Sequence, residues 1–241
     1  MSGERRDRIL RKLTGDIPSK GETKRLCEVC RDITGMTGAG IMLMAGEVPQ
    51  GSVCTTNAVS ARVEELQFEL GEGPCVDAHH QGRPVLEPDL AAPAIPRWLA
   101  FTGPAVEAGV RAVFGFPLLV GEVRLGALNL YCDQPGSLTA EQHADALVMA
   151  GIAAQAVLLM QANAPPGKLA LELEAGGNFQ YVVHQAAGMV AAQLEVSVGQ
   201  ALIRLRAYAF GNDRPLIEVA KEVVARTLRF DDHAGERRLA P

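Results

Sequence analysis

The sequence predicts an α+β chain in two parts, an antiparallel sheet with helices packed on it and then a small helical bundle. Three observations carry this. Short apolar and β-branched runs alternate with helical periods through the first 160 residues. The stretch Ala162–Gly167 (ANAPPG) then interrupts the pattern as a linker does. Beyond it only the helical period remains. A chain of 241 residues has room for two modest domains, and with 48% hydrophobic but 5% aromatic residues their cores are built from Ala, Val, Leu and Met.

Each element follows from local chemistry. Residues 4–13 form a short basic helix, and Glu22–Thr34 a second that ends at Gly35. Gly38–Ala45 (GAGIMLMA) reads as a buried strand and Gly51–Asn57 as the next. Ser60 is placed to cap a helix that runs to Leu70 and stops at Gly71. In the dense stretch GEGPCVDAHHQGRPVLEPDL, Cys75–Gln81 makes a helical turn. Pro84–Glu87 there is an edge strand, because proline cannot donate to a central ladder. A helix over Pro96–Glu107 ends at Gly109, and Val110–Val120 with Val123–Tyr131 forms a hairpin about Gly121. Thr139 and Gln142 have capping-box spacing and open a long helix. Its charge-free segment Ala146–Met160 is shorter than the ~20 residues of a membrane span, so a buried or self-associating helix is expected.

After the linker, Val182, Val183, Ala186, Val190 and Leu194 mark one helix. Ser197 and Gln200 cap a second with the stripe Ala201, Leu202, Leu205, Tyr208 and Ala209, closed by Gly211. Pro215 near the first turn and Asp213 near the cap begin a third, with the stripe Leu216, Val219, Ala220, Val223, Val224 and Thr227. Three short amphipathic helices hide their apolar faces only by bundling. The expected organisation is an α+β domain over 1–160, for which the resemblance given below implies a sensor and dimerisation role, a linker over 161–176, a helical domain over 177–230 and a frayed tail over 231–241.

A net charge of −5 argues against indiscriminate nucleic-acid or membrane binding. The acidity sits in the front half: residues 1–160 carry 14 basic and 19 acidic groups, whereas 168–241 carry nine of each. The charged start Met1–Leu13 lacks the apolar core of a signal peptide. Five irregularly spaced cysteines make no disulfide framework, so a cytoplasmic location is expected. No nucleophile elbow, P-loop, HExxH or paired-carboxylate pattern is present, so neither catalytic residues nor a cofactor is expected.

The runs Val183-His-Gln-Ala-Ala-Gly-Met189, Ala201-Leu-Ile-Arg-Leu-Arg-Ala-Tyr-Ala209 and Asn212-Asp-Arg-Pro-Leu-Ile-Glu-Val-Ala220 resemble an ANTAR domain, a bacterial RNA-binding output domain. Glu65-Leu-Gln-Phe-Glu-Leu-Gly-Glu-Gly-Pro-Cys-Val-Asp77, Gly82-Arg-Pro-Val85, Asp89-Leu90, Arg97-Trp98 and Gly126-Ala-Leu-Asn-Leu-Tyr131 resemble a GAF domain. The combination implies a signal-responsive antiterminator that binds paired short RNA hairpins, with a small-molecule ligand at the GAF half and a homodimer formed through the Ala-rich helix Ala144–Gln161. One departure stands out: the resemblance calls for Lys where this chain has Ala187, so that RNA contact is altered or lost. If it is lost, Ala187→Lys is expected to restore it.

Among individual residues, Arg206 and Arg214 sit where the resemblance keeps a base. A guanidinium can stack on a looped-out nucleotide, or it can pair with an acid such as Asp213 or Glu218. Arg204, Lys221 and Gln185 are further RNA candidates. Cys75, His79, Trp98 and Phe101 are candidates for a sensor pocket. Cys27 and Cys30 form Cys-x-x-Cys within a helix and lack a second ligand pair, so they read as apolar packing and no metal is expected. A cysteine-based free methionine sulfoxide reductase on the GAF fold is the enzymatic alternative, with Cys54, Cys75 and Cys132 as thiols.

Overall fold

The computed structural model describes residues 2–14, 22–46, 48–163, 181–230 and 237–238. It divides into two compact units, Met1–Phe179 and Gln180–Pro241. Most of the linker expected over 161–176 lies outside the described residues.

The first unit is built on a five-stranded antiparallel sheet in the order β2-β1-β5-β4-β3. Its strands are β1 (Gly38–Ala45), β2 (Val48–Thr55), β3 (Val85–Glu87), β4 (Ala112–Val120) and β5 (Val123–Cys132). β3 pairs only with β4, at the edge that its flanking proline requires. The helices α1 (Ser2–Thr14), α2 (Glu22–Thr34) and α6 (Ala140–Asn163) belong to one face, and α3 (Ala58–Leu70), α4 (Pro74–Gln81) and α5 (Leu99–Glu107) to the other.

The strands serve the two faces by simple alternation. Ala39, Ile41 and Leu43 of β1, Phe114, Phe116 and Leu118 of β4, and Leu128 and Leu130 of β5 enter the core under α2 and α6. Val113, Ala127 and Tyr131 enter the second core, under α3 to α5. The long helix α6 is apolar enough over Ala140–Met160 to cross a membrane. Here Ala146, Met149, Ala150, Ala153, Ala154 and Val157 line the first core, as in a core helix. The helix also takes charge from α1: Arg5 and Arg8 both donate to the buried Asp145, at 2.6 and 2.7 Å.

Some boundaries depart from expectation. The cap of α3 is Asn57, and Ser60 is its reciprocal partner three residues on. Helix α5 begins at Leu99, because Trp98 has a left-handed backbone (φ 52) that no helix continues. Thr139 and Gln142 do form the box that opens α6.

The second unit contains α7 (Tyr181–Leu194), α8 (Val198–Gly211) and α9 (Leu216–Val224). Each packs on the other two. Ser197 and Gln200 bond reciprocally at the start of α8. Pro215 is itself the cap of α9, while Asp213 has φ 50 in the preceding turn. Thr227, read as part of the α9 stripe, is exposed beyond its end. Ala187 joins Val183, Ala186, Val190 and Leu194 in the buried stripe of α7. In the tail expected to be frayed, Arg237–Arg238 (β7) pairs with Leu228–Arg229 (β6); 231–236 and 239–241 lie outside the described residues.

Candidate functional site

The Gly/Pro-rich stretch and the Arg-Trp pair assemble into one scaffold. Glu72 Oε1 accepts from the backbone N–H groups of Ala100 and Phe101 at 2.6 and 2.9 Å. It thereby satisfies the open amides at the start of α5, where a carboxylate is also favoured by the helix dipole. Trp98 Nε1 donates to Asp77 Oδ2 at 3.0 Å. Arg97 lies over the Trp98 ring at 4.6 Å and pairs with the buried Glu87 at 3.1 Å. Of the four residues expected to line a pocket, Cys75, Trp98 and Phe101 share the second core, with the two rings edge-to-face at 6.0 Å. His79 does not join them. Its Nε2 donates to the Gly46 carbonyl at 2.7 Å. Burial lowers its pKa, against the backbone carbonyls of Gly46 and Gly126, which favour the charged ring.

Beneath this scaffold lies a polar cluster that the sequence reading missed. Glu64 and Gln67 of α3 and Asn129 of β5 are 2, 0 and 3% exposed. Gln67 Oε1 accepts from the Cys75 backbone N–H at 2.7 Å, which fixes the amide and leaves Nε2 without an acceptor. Neither Glu64 carboxyl oxygen nor Asn129 Oδ1 has a partner of good hydrogen-bond geometry, although the Asn129 side chain lies against the Glu64 carboxyl. Burial pushes Glu64 up to about 8, against which the nearby Asn129 side chain, favouring the charged form, acts only in part. Two glycines make the arrangement possible. Gly40 and Gly115 face Asn129 across the ladders on either side. A Cβ at Gly40 would stand 2.4 Å from Glu64 Oε1, and one at Gly115 2.3 Å from the Pro74 carbonyl oxygen. The bare backbone lets α3 and α4 rest directly on the sheet. A signal for the cluster was present in sequence: Ser60, Val63, Glu64 and Gln67 fall at i, i+3, i+4 and i+7, one face of a helix.

A family model for the GAF domain matches residues 23–158, more than half of the chain. The chain belongs to the GAF domain family. A GAF domain from a Coxiella burnetii phosphoenolpyruvate-protein phosphotransferase is similar at 13% identity and a TM-score of 0.50, over 67% of this chain and 95% of that one. The GAF domain of an Acinetobacter phosphoenolpyruvate-protein phosphotransferase is similar at 12% identity and a TM-score of 0.49, over 68% and 97%. The type II free methionine-R-sulfoxide reductase of Thermoplasma acidophilum is similar at 16% identity and a TM-score of 0.46, over 57% and 91%. At such identities the likeness concerns fold alone. No curated protein matches the chain.

Within the GAF unit the cysteines are dispersed. Cys27 is disulfide-bonded to Cys54, contrary to the reading of Cys27 as plain helix packing and of Cys54 as a thiol. Neighbouring strand and helix faces bring together two residues 27 apart, which no spacing motif announces. Cys75 lies in the second core, where burial raises its thiol well above the usual range. Cys132 packs on the first core, across the sheet from Cys75. The three proposed thiols therefore do not meet. Among the described residues no group of three His, Cys, Asp or Glu side chains is placed to hold a metal.

The family match ends at residue 158, short of the helical unit. There Arg214 donates twice to Glu222, at 2.7 and 3.1 Å. Of the two roles the sequence leaves open for Arg214, the structure shows an acid pair, with Glu222 in place of Asp213 or Glu218: one helical turn and a half along α9, Glu222 is the carboxylate that the turn presents to it. Arg206 is half-buried, and burial pushes its guanidinium down to about 10. Arg204, Lys221 and Gln185 are exposed. So are two large apolar residues of α8 seven positions apart, Ile203 at 64% and Phe210 at 69%.

Proposed function

We propose that this chain is a signal-responsive RNA-binding regulator of transcription termination, with the GAF unit as sensor and the helical unit as an ANTAR-like output that recognises hairpin loops. It acts by binding rather than catalysis, in the cytoplasm, as a homodimer. The observation that carries the reading is that the three ANTAR-like runs fall one on each of three mutually packed helices, whose buried stripe leaves Arg204, Lys221 and Gln185 outward. The exposed Phe210 adds a flat apolar face on which an unpaired base can stack. Arg214 also pairs with Glu222 across the α8–α9 turn, and Arg204, Arg206, Lys221 and Gln185 are the further RNA candidates. Two output units in one dimer would engage two hairpins together and gain from effective concentration. In a reducing cytoplasm Cys27 and Cys54 stand as a dithiol.

Filter binding of the full chain to an RNA with two closely spaced hairpins tests this. We expect preference over a scrambled RNA, and for Arg204→Ala a salt slope shallower by about one. Equal affinity for the two RNAs at low salt defeats the reading.

A further inference from the structure

The Cys27–Cys54 bond ties α2 to β2 inside a core that does not need it. That core already holds Ile9, Ile41, Phe114, Phe116, Leu128 and Met149, each at most 1% exposed. Disulfides support small domains that lack such a core, and a domain of this size folds without one. The reduced pair fits the same packing. A free Cys behaves as a small apolar side chain with a weak S–H donor. The Cys54 carbonyl oxygen lies 3.2 Å from Cys27 Sγ and accepts from that donor in the dithiol state. Both states are compatible with one fold. What differs is whether α2 is held covalently to the edge strand of the sheet.

The remaining cysteines indicate the resting state. Cys30, Cys75 and Cys132 are unpaired. Three thiols left free beside one pair that can bond are what a reducing compartment maintains. They do not compete for the pair. Cys75 lies in the second core, and Cys132 packs on the first from β5. Cys30 sits one turn along α2 from Cys27, and burial, with the negative charge of Asp145 added to it, raises its thiol above the usual range. The position of the pair gives it reach. Helix α2 packs on α1 and on α6, the last helix described in the GAF unit, so a bond that fixes α2 bears on both.

We propose that Cys27 and Cys54 form a reversible redox site, a dithiol at rest that closes to the disulfide on reaction with a low-molecular-weight disulfide and so staples α2 to the sheet. Cys54, 4% exposed on the edge strand, is the point of entry, whereas Cys27 is fully enclosed. The Cys54 thiol loses its proton to water, and its thiolate attacks one sulfur of the small disulfide. That S–S bond breaks, one small thiolate leaves, and a mixed disulfide remains on Cys54. Cys27, deprotonated in turn, attacks Cys54 Sγ and expels the second small thiolate. Two protein thiols are oxidised and one small disulfide is reduced to two thiols; excess small thiol runs the sequence backwards. Each attack requires local opening of α2 from β2, so the site responds to sustained oxidation rather than to a brief pulse. This names a signal for the sensing half without resting on RNA binding.

The test uses the full chain without RNA, so that its failure and that of the RNA experiment are distinguishable. The chain is equilibrated at graded ratios of reduced to oxidised glutathione, quenched in acid, unfolded and alkylated, and each cysteine is read by peptide mass spectrometry. We expect Cys27 and Cys54 to become protected together as the ratio turns oxidising and to return with excess reduced glutathione, while Cys30, Cys75 and Cys132 stay alkylated. Closing a loop between residues 27 apart should raise the unfolding midpoint by roughly 5–15 °C over the reduced chain. In Cys54→Ser the midpoint should be the same at both ends of the series. A bond retained in excess reduced glutathione marks a permanent staple and overturns the proposal. Free thiols at both positions in oxidised glutathione alone overturn it too, as does a Cys54→Ser midpoint that still follows the ratio. Should Cys54→Ser not fold, the alkylation pattern of the parent chain decides alone.

Discussion

Replacing Glu64 with Gln tests the electrostatics of the GAF core directly. Glu64 is 2% exposed, and its pKa rises from 4.5 to about 8 because burial disfavours the charged form. A carboxyl that holds its proton more tightly when folded stabilises the fold fully below pH 4.5 and ceases to do so as pH rises to about 8. Between those limits the native state binds one more proton than the unfolded state, so stability falls by about 1.4 kcal/mol per pH unit on account of this group. Gln stays neutral and carries no such slope. The stability of Glu64→Gln relative to the parent should therefore widen by on the order of 4 kcal/mol between pH 5 and pH 8, then level off. Urea unfolding read by tryptophan emission suits the measurement. Trp98 is the only Trp, buried in the second core and bonded to Asp77, and so reports the GAF unit alone. His79 and the surface carboxylates titrate in both proteins and cancel in the difference. A gap that stays flat within about 0.5 kcal/mol across that range would refute burial as the cause of the raised pKa.

Two further outcomes follow from packing. Gly115→Ala places a Cβ 2.3 Å from the Pro74 carbonyl, a backbone atom that cannot swing aside. Denaturant unfolding should show a loss of about 2–3 kcal/mol, whereas Gly103→Ala, with no neighbour within 4 Å in α5, should gain roughly 0.5–1 kcal/mol. On α6, Leu147, Gly151, Gln155 and Leu159 form an exposed row at four-residue spacing. If that row is the dimer seam, Leu159→Lys should convert a dimer into a monomer by light scattering with unchanged circular dichroism.

Most of the GAF sheet was legible because its strands obey rules that act locally. β1 and the α2 boundaries follow from continuous apolar runs and terminal glycines, and Gly71 and Gly82 stop α3 and α4 in left-handed conformations (φ 69 and 63). What the sequence hid are relations across the sheet. Asn129 reads as one polar residue in an apolar strand, and only the register that sets it between Gly40 and Gly115 shows why it is buried. Glu64 and Glu65 are adjacent in sequence, yet they lie on different sides of α3, with Glu65 outward and bonded to Arg62. The Cys27–Cys54 bond likewise joins α2 to β2, and neither cysteine has a local cue to the other. His79 was grouped with Cys75 by proximity in sequence, but one helical turn farther along α4 its ring meets the β1–β2 connection at Gly46.

In the helical unit, Ala187 shows how far a family pattern carries. The ANTAR resemblance calls for a lysine there. Its place in the series Val183, Ala186, Ala187, Val190, Leu194 makes it an interior residue, with no exposed surface. A lysine there would have to bury four methylenes or thread its ammonium out past α8 and α9, at an overpacking cost of about 1–3 kcal/mol. Ala187→Lys is therefore a poor test of the proposed RNA contact in this chain: it would loosen the packing of the helical unit itself. The same reasoning moves attention from α7 to α8. Arg214 pairs with Glu222, and on α8 Ile203, Arg204 and Phe210 are exposed. Such a surface favours unpaired bases over a regular duplex, because a base stacks only where its face is free. If the unit binds RNA as proposed, a loop nucleotide is the RNA feature best matched to what it exposes.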